Sequence, residues 1–195
     1  MVTKNEQTGQ PHFDDARRTA FPGVKNTWNG TSVDYMDIQV GDKLTTGIYE
    51  VRCPRFDEVV VAKFARFEWE ILYLESETMA YQWIEGNNIG PRFLGHLMEH
   101  GRVIGFLMER IKNVQHASIE DLESCQKTLS RLHSLGIRHG DINRFNFLIR
   151  DSTAVLIDFE TAQKYVDQDA LLKELEDLPN SLEDLSGRGG ESVFE

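Results

Sequence analysis

Cysteine is almost absent from the sequence, and its scarcity removes several classes of protein. The two cysteines, Cys53 and Cys125, lie far apart and form no Cys-x-x-Cys pair. This excludes a disulfide framework and a cysteine-based zinc site, and it suits a reducing compartment. Among the six histidines only His96 and His100 are four apart, and they stand in a predicted strand–turn region. A zinc hydrolase is therefore not indicated.

Long apolar runs and an excess of positive charge are also missing. No apolar run approaches the roughly eighteen residues of a membrane-spanning helix, and the first residues lack the apolar core of a signal peptide. With 21 lysines and arginines against 32 aspartates and glutamates, the net charge is −11. This charge disfavours nucleic acid and anionic membranes as partners. We therefore expect a soluble, cytoplasmic protein, with the nucleus left open as a second location.

The chain is long enough for one domain with a sizeable core. It has 195 residues, and 40% of them are hydrophobic. Residues 1–30 are polar and broken by glycine and proline, so they are predicted to form a flexible arm. β-type segments follow at residues 35–40, 47–52 and 59–64.

A helix is predicted over residues 68–85, followed by a hairpin over residues 92–109. The predicted buried positions of the helix are Ile71, Leu72, Leu74, Met79 and Trp83. A second helix should begin at Ser118, which can form a capping box with Asp121, and end at Gly136.

The remainder of the chain is predicted to contain two strands, a helix and a tail. The strands are expected at residues 147–150 and 154–158. The helix is expected over residues 168–178, where Pro179 would stop it. Residues 181–195 form a glycine-rich tail.

The most informative pattern lies around Asp141. Asn146 follows it by five residues on the same predicted loop, and Asp158 stands twelve residues further on, at the end of an apolar strand. Phosphoryl transfer needs one carboxylate to orient a hydroxyl, with an amide and a second carboxylate to hold Mg²⁺ against ATP. A simple turn aspartate is the alternative for Asp141, but it leaves the other two residues at these spacings unexplained.

This pattern resembles the catalytic and metal-binding loops of the protein-kinase-like superfamily. The resemblance implies that Asp141 is the catalytic residue, that Asn146 and Asp158 are magnesium ligands, and that ATP and Mg²⁺ are the cofactors. It also implies that His139 packs beneath the loop and hydrogen-bonds the backbone.

The order of three strands, a helix and two strands is that of a kinase N-lobe. The resemblance therefore implies an α+β, bilobal protein-kinase-like fold with a truncated C-lobe, in which residues 31–111 form the N-lobe and residues 112–180 the reduced C-lobe. Only 37 residues follow Asp158, without an Ala-Pro-Glu motif, and Gly140 replaces the arginine that grips a phosphorylated activation loop. The chain is similar in this to lipopolysaccharide kinases, aminoglycoside phosphotransferases, the threonylcarbamoylation-complex kinase and short fungal kinase-like proteins.

The nucleotide-binding residues also come from this resemblance. Lys63, in Val59-Val-Val-Ala-Lys63, is similar to the lysine that holds the α and β phosphates while paired with a helix glutamate. Glu77 fits that partner best, with Glu70 and Glu75 as competitors. The hinge that binds adenine through its backbone is placed at Glu109 and Ile111.

The sequence departs from the family pattern near the phosphates. The segment Gly41–Gly47 has two glycines and no Gly-x-Gly-x-x-Gly. Glu160 takes the place of the glycine in Asp-Phe-Gly and adds a negative charge near the metal ligands. Asn143 stands where many protein kinases carry a lysine that touches the γ-phosphate.

Three functions follow from the resemblance. The leading one is an ATP- and Mg²⁺-dependent phosphotransferase acting on an unidentified hydroxyl acceptor, a small molecule. The second is a protein kinase or ATPase that works within a complex and has a protein partner. The third is a non-catalytic pseudokinase binding module, which the poor glycine loop and Glu160 favour; the presence of Lys63, Asp141, Asn146 and Asp158 favours an enzyme.

Overall fold

The fold is mixed α and β. The computed structural model describes residues 2–4, 7–13, 21–164, 167–184 and 186. In that part of the chain the helices are α1 (Glu70–Ile84), α2 (Leu122–Ser134) and α3 (Gln168–Glu183). The strands are β1 (Val2–Lys4), β2 (Pro11–Phe13), β3 (Ser32–Asp34), β4 (Gln39–Thr45), β5 (Ile48–Arg52), β6 (Val60–Phe64), β7 (Phe93–Glu99), β8 (Arg102–Met108), β9 (Gln115–His116), β10 (Ile137–Arg138), β11 (Phe147–Arg150), β12 (Thr153–Leu156) and β13 (Gln163–Lys164). Within the described residues, no helix combines the length and apolar character needed to cross a membrane.

A six-stranded sheet organises the first half of the chain. Its order is β3-β7-β8-β6-β5-β4, with β3 parallel to β7 and the other neighbours antiparallel. β6 lies inside the sheet, and its apolar residues Val60, Val61 and Ala62 are all buried, as the continuous apolar run predicts. The same strand carries Lys63, which is therefore positioned from the centre of the sheet.

Helix α1 packs against β8 through one face. Ile71, Leu74, Thr78 and Tyr81, which are three or four positions apart, are buried on that face. The predicted burial of Leu72 is wrong, because one residue after Ile71 the helix turns its side chain to solvent, where 74% of it is exposed.

The first predicted strand, at residues 35–40, is wrong over residues 35–38, and only residues 39 and 40 belong to a strand. The side chain of Asp34 accepts a hydrogen bond from the N–H of Met36 at 2.9 Å and caps a short 3₁₀ turn over Tyr35–Asp37. β4 begins only after this turn, and it extends through most of the segment predicted as a phosphate-covering loop. The turn between β4 and β5 is left with Thr46 and Gly47 alone.

Residues 21–30 pack against the sheet, although the sequence assigns them to the flexible arm. Val24 is buried and pairs through its backbone with Val103. The ring of Trp28 lies 4.8 Å from that of Phe93, and its Nε1–H donates to the carbonyl of Thr78 at 3.0 Å. Residues 1, 5, 6 and 14–20 of the predicted arm lie outside the described residues.

In the second half of the chain, the described residues form α2, α3 and three small strand pairings. The capping box of Ser118 and Asp121 is confirmed, and it begins a 3₁₀ turn that leads into α2. The predicted stop at Pro179 is wrong, because α3 continues to Glu183 while Leu178 and Leu182 on either side of the proline stay buried. The predicted tail thus begins inside a helix, and its residues 185 and 187–195 lie outside the described part.

Gly105 is required by the close approach of β6 to β8. A Cβ at this position would lie 2.2 Å from the carbonyl oxygen of Lys63 and 2.6 Å from the Cα of Phe64. We expect Gly105→Ala to lower the free energy of unfolding by about 2 kcal/mol or more, because the two backbones must separate. Urea unfolding measures this loss. Gly30→Ala is the control, since its Cβ would meet no atom within 4 Å, and equal midpoints for the two variants would contradict the prediction.

Candidate active site

One pocket of about 390 Å³ lies between the six-stranded sheet and the segment from β9 to β12. Six of the predicted site residues line it: Lys63, Glu77, Glu109, Ile111, Asn146 and Asp158. They come from β6, α1, the end of β8 and the loops around β11 and β12. Asp141 does not line the pocket, but it is hydrogen-bonded to Asn146, which does.

The buried ammonium of Lys63 lies at the centre of an ion cluster. Its Nζ is 2.7 Å from a carboxylate oxygen of Glu77 on α1. Two further carboxylates approach it from the segment after β12, Asp158 at 2.8 Å and Glu160 at 2.9 Å. Three carboxylates therefore share one cation, and the cluster joins the sheet, the helix and the later segment.

The two glutamates that competed with Glu77 are engaged elsewhere. Glu70 pairs with Arg66 at 2.9 Å. Glu75 accepts hydrogen bonds from the backbone N–H groups of Lys25 and Asn26. Of the three helix glutamates considered, Glu77 is the one that pairs with Lys63.

The pKa values in this cluster reflect burial and an excess of negative charge. Burial alone would lower the pKa of Lys63, but Glu77, Asp158 and Glu160 raise it well above its ordinary value. Burial, aided by the charges of Asp158 and Glu160, raises the pKa of Glu77 to about 7 against the opposing effect of Lys63. Lys63 is therefore charged, and an added cation would relieve the repulsion among the carboxylates.

The oxygen donors in the pocket fit a hard divalent cation. Ligand oxygens of Glu77, Asp158 and Glu160 all lie within 4.8 Å of one another. Asn146 uses its Nδ2 to donate to Asp141, which leaves its Oδ1 as the atom able to coordinate a cation. Amide and carboxylate oxygens are the ligands that Mg²⁺ prefers. The predicted pair, Asn146 and Asp158, suits this chemistry, and Glu160 adds a carboxylate beside it.

Asp141 is held by two side-chain amides. Its Oδ1 accepts a hydrogen bond from Asn143 at 2.9 Å, and its Oδ2 accepts one from Asn146 at 3.2 Å. Asn143 is itself fixed, because its Oδ1 accepts the N–H of Phe145 at 2.8 Å. In the sequence, Asn143 stands out only because it replaces a lysine. The structure shows that its side chain holds the Asp141 carboxylate.

His139 lies beneath this loop and bonds backbone groups, as predicted. It is fully buried, its Nδ1 accepts the N–H of Asp141 at 3.3 Å, and its Nε2 lies 3.1 Å from the carbonyl of Ile157. A carbonyl can only accept, so Nε2 carries the proton and the ring is neutral. Burial lowers the pKa of His139, which agrees with this assignment.

The segment around Asp158 is strained and tightly packed. β12 ends at Leu156, so the prediction that Asp158 ends the strand is wrong; Asp158 follows in a left-handed conformation with a φ of 63°. Such angles in residues other than glycine are uncommon and cluster at functional sites. The buried ring of Phe159 lies 5.4 Å from Tyr81 and 5.2 Å from His139, which fixes the segment against α1 and the Asp141 loop.

Residues 108–192 match the model of the lipopolysaccharide kinase (Kdo/WaaP) family. This stretch contains Asp141, Asn146 and Asp158 but covers less than half of the chain, and Lys63 and Glu77 lie outside it. The match confirms the resemblance to the protein-kinase-like superfamily and suggests a kinase-like phosphotransferase. A comparison with curated proteins found no significant match.

The family match begins at the predicted hinge. The N–H of Glu109 donates to the carbonyl of Arg92 at 2.9 Å, so this residue can offer a nucleotide base only its carbonyl. The next residue, Arg110, donates through Nε to Glu50 on β5, and both side chains line the pocket. The Arg110–Glu50 ion pair joins the predicted hinge to β5. No pattern in the sequence indicates this ion pair.

Glu174, on α3, was not identified from the sequence. Its carboxylate accepts the backbone N–H of His139 at 3.1 Å, that of Gly140 at 2.7 Å, and lies 2.8 Å from Nε2 of His133. The spacing of the sequence could have indicated its role. Glu174 lies three residues after Leu171 and four before Leu178, so it falls on the buried face of the helix. A charged residue on such a face needs polar partners, here the backbone of the Asp141 loop.

We expect Glu174→Gln to lower the free energy of unfolding by about 3 kcal/mol, because the amide turns a donor toward at least one backbone N–H. Burial alone would raise the pKa of Glu174, but hydrogen bonds from His133, Gly140 and His139 outweigh it and lower this pKa from 4.5. The stabilisation is thus present above that value and is lost as the pH falls through the lowered pKa.

Urea unfolding between pH 3 and pH 7, a range of about four pH units around the carboxylate pKa, measures the effect of Glu174→Gln. Glu176→Gln on the exposed side of α3 is the control and should behave as the unmodified chain. A stability difference between Glu174→Gln and the unmodified chain that does not shrink toward low pH would contradict the assigned role.

Proposed function

We propose that the protein is an ATP- and Mg²⁺-dependent phosphotransferase with a bilobal kinase fold, acting on a hydroxyl of a small molecule. The observation that carries the proposal is the single pocket lined by Lys63, Glu77, Glu109, Ile111, Asn146 and Asp158. Motifs in separate parts of the chain predict Lys63, Glu77, Asn146 and Asp158, whereas Glu109 and Ile111 are predicted from their position after β8. In this view the six-stranded sheet with α1 is the N-lobe, and the part from β9 onward is the C-lobe.

The pocket has the size and chemistry for a nucleotide. Its volume of about 390 Å³ lies in the range of small-molecule sites. The carbonyl of Glu109 and the backbone of Ile111 would bind adenine, and the Lys63 ammonium would hold the phosphates. Mg²⁺, held by Asn146 and Asp158, would neutralise charge on the phosphates. The pair of Lys63 with Glu77 keeps the ammonium aimed into the pocket.

Asp141 would accept the proton of the attacking hydroxyl. The acceptor oxygen forms a bond to the γ-phosphorus, the bond from that phosphorus to the β–γ bridging oxygen breaks, and the hydroxyl proton passes to the carboxylate. The amides of Asn143 and Asn146 hold both oxygens of Asp141 for this task. Catalysis is then a matter of positioning and charge neutralisation, without a covalent enzyme intermediate.

A small-molecule acceptor is supported by two observations. Gly140 stands where regulated protein kinases carry an arginine for the phosphorylated activation loop. The matching family is named for a kinase of lipopolysaccharide, which is not a protein. Buried thiols at Cys53 and Cys125 suit the cytoplasmic location that we also propose.

A non-catalytic binding module is the second candidate. It is favoured by the contact of Glu160 with Lys63, because a carboxylate occupies the ammonium that would bind phosphate. The two candidates differ in whether Mg²⁺ and ATP displace this contact.

Asp141→Asn should lower phosphoryl transfer at least about a hundredfold, because the amide cannot accept the hydroxyl proton. ATP consumption in the presence of a panel of small hydroxyl compounds measures this loss, and calorimetry should show nearly unchanged Mg-ATP binding. Asp151→Asn, in an exposed turn, is the control. Equal turnover by the Asp141 variant would remove Asp141 from the proposed role.

ATP binding should require Mg²⁺ and should be lost in Asp158→Ala, because the phosphates otherwise meet an excess of carboxylate charge. Calorimetric titration with ATP, with and without Mg²⁺, makes the comparison, and Asp151→Ala is the matched control. Absence of binding under both conditions would favour the non-catalytic candidate.

A further inference from the structure

Helix α1 carries exposed apolar side chains beside its buried face, although the outward side of a surface helix is normally polar. Its inner face packs on the sheet. At its N-terminal end Trp69, Leu72 and Tyr73 are 61%, 74% and 54% exposed, at the spacing of one helical face. Phe67, just before the helix, is 49% exposed and stacks on Trp69 with ring centroids 4.4 Å apart. We call these four residues the outer face of α1; contiguous exposed apolar groups of this kind mark interaction sites.

A cavity of about 230 Å³ lies beside the outer face and leads to the Lys63 cluster. Trp69 and Tyr73 line this cavity together with Glu70, Lys63 and Glu160. An occupant of the outer face can therefore place a side chain next to Glu160. Apolar walls with carboxylates suit the stem and charge of a lysine or arginine.

The charge around the outer face selects the kind of occupant. Residues 66–76 contain one arginine and three glutamates, and the arginine is already paired with Glu70. The whole chain carries a net charge of −11, so a second copy would bring like charge to this surface. Charge complementarity instead favours a segment that combines apolar residues with lysines or arginines.

We propose that the outer face of α1 binds a basic amphipathic helix of another protein, which inserts a lysine or arginine into the adjacent cavity and pairs it with Glu160. Glu160 then leaves Lys63, and the ammonium becomes available to phosphate. The docking proposal depends only on the properties of this surface. The release of Lys63 depends also on the proposed function.

The first test uses a defined peptide as the probe. A helical peptide of about 18 residues, with leucines three and four apart and lysines at the other positions, is titrated into the full chain by calorimetry. We expect it to bind, and its counterpart with glutamates in place of lysines not to bind. Trp69→Ser with Leu72→Ser should weaken binding at least about tenfold.

Met36→Ser is the matched control, because Met36 is 85% exposed but belongs to a different surface. Circular dichroism establishes that all variants are folded. Failure of the lysine peptide to bind, equal binding by the double variant, or equal binding of the glutamate peptide would overturn the docking proposal. So would sedimentation showing a dimer that Leu72→Ser dissociates, since the occupant would then be a second copy.

The second test addresses Lys63. Adding the lysine peptide should increase the affinity for Mg-ATP, and Glu160→Gln should weaken peptide binding while increasing ATP affinity without the peptide. An ATP affinity that the bound peptide leaves unchanged would overturn the release of Lys63. Absence of ATP binding with and without the peptide would instead contradict the proposed function and leave the docking result standing.

Discussion

The buried charge of Lys63 is the constraint on which the rest of the structure depends. An ammonium inside a sheet is costly unless carboxylates neutralise it. Its partners come from α1 and from a segment 95 residues further along the chain. Neutralising this charge brings the sheet, the helix and the later loops together. The contacts that stabilise the Lys63 ammonium therefore also assemble the pocket.

The aromatic ring of Phe159 supports the same assembly from below. It contacts Tyr81 on α1 and His139 under the Asp141 loop, while Asp158 beside it reaches Lys63. Movement of α1 would disturb both the ion cluster and this packing at once. The helix therefore links the outer protein surface to the interior of the pocket, although its two faces share no side chain.

Local sequence patterns predicted the three helices, most strands of the large sheet and six of the residues that line the pocket, but not the contacts between distant segments. Motif spacing selected Lys63, Asn146 and Asp158 as candidates, and the structure brings the three residues to one pocket. Motif spacing could not show that Glu160 turns toward Lys63, since that depends on the left-handed backbone at Asp158. The predicted burial of Leu72 and the predicted helix end at Pro179 were wrong for a related reason. Both predictions rested on the type of one residue, whereas the packing of neighbouring residues decides whether a side chain is buried and where a helix ends.

Glu174 also determines when the Asp141 loop can form. The backbone N–H groups of His139 and Gly140 find their acceptor on α3, about 35 residues later in the chain. During synthesis these amides have no partner until that helix has left the ribosome. A nascent chain could thus complete its six-stranded sheet early, while the loop that carries Asp141 acquires its native geometry only after α3 has emerged.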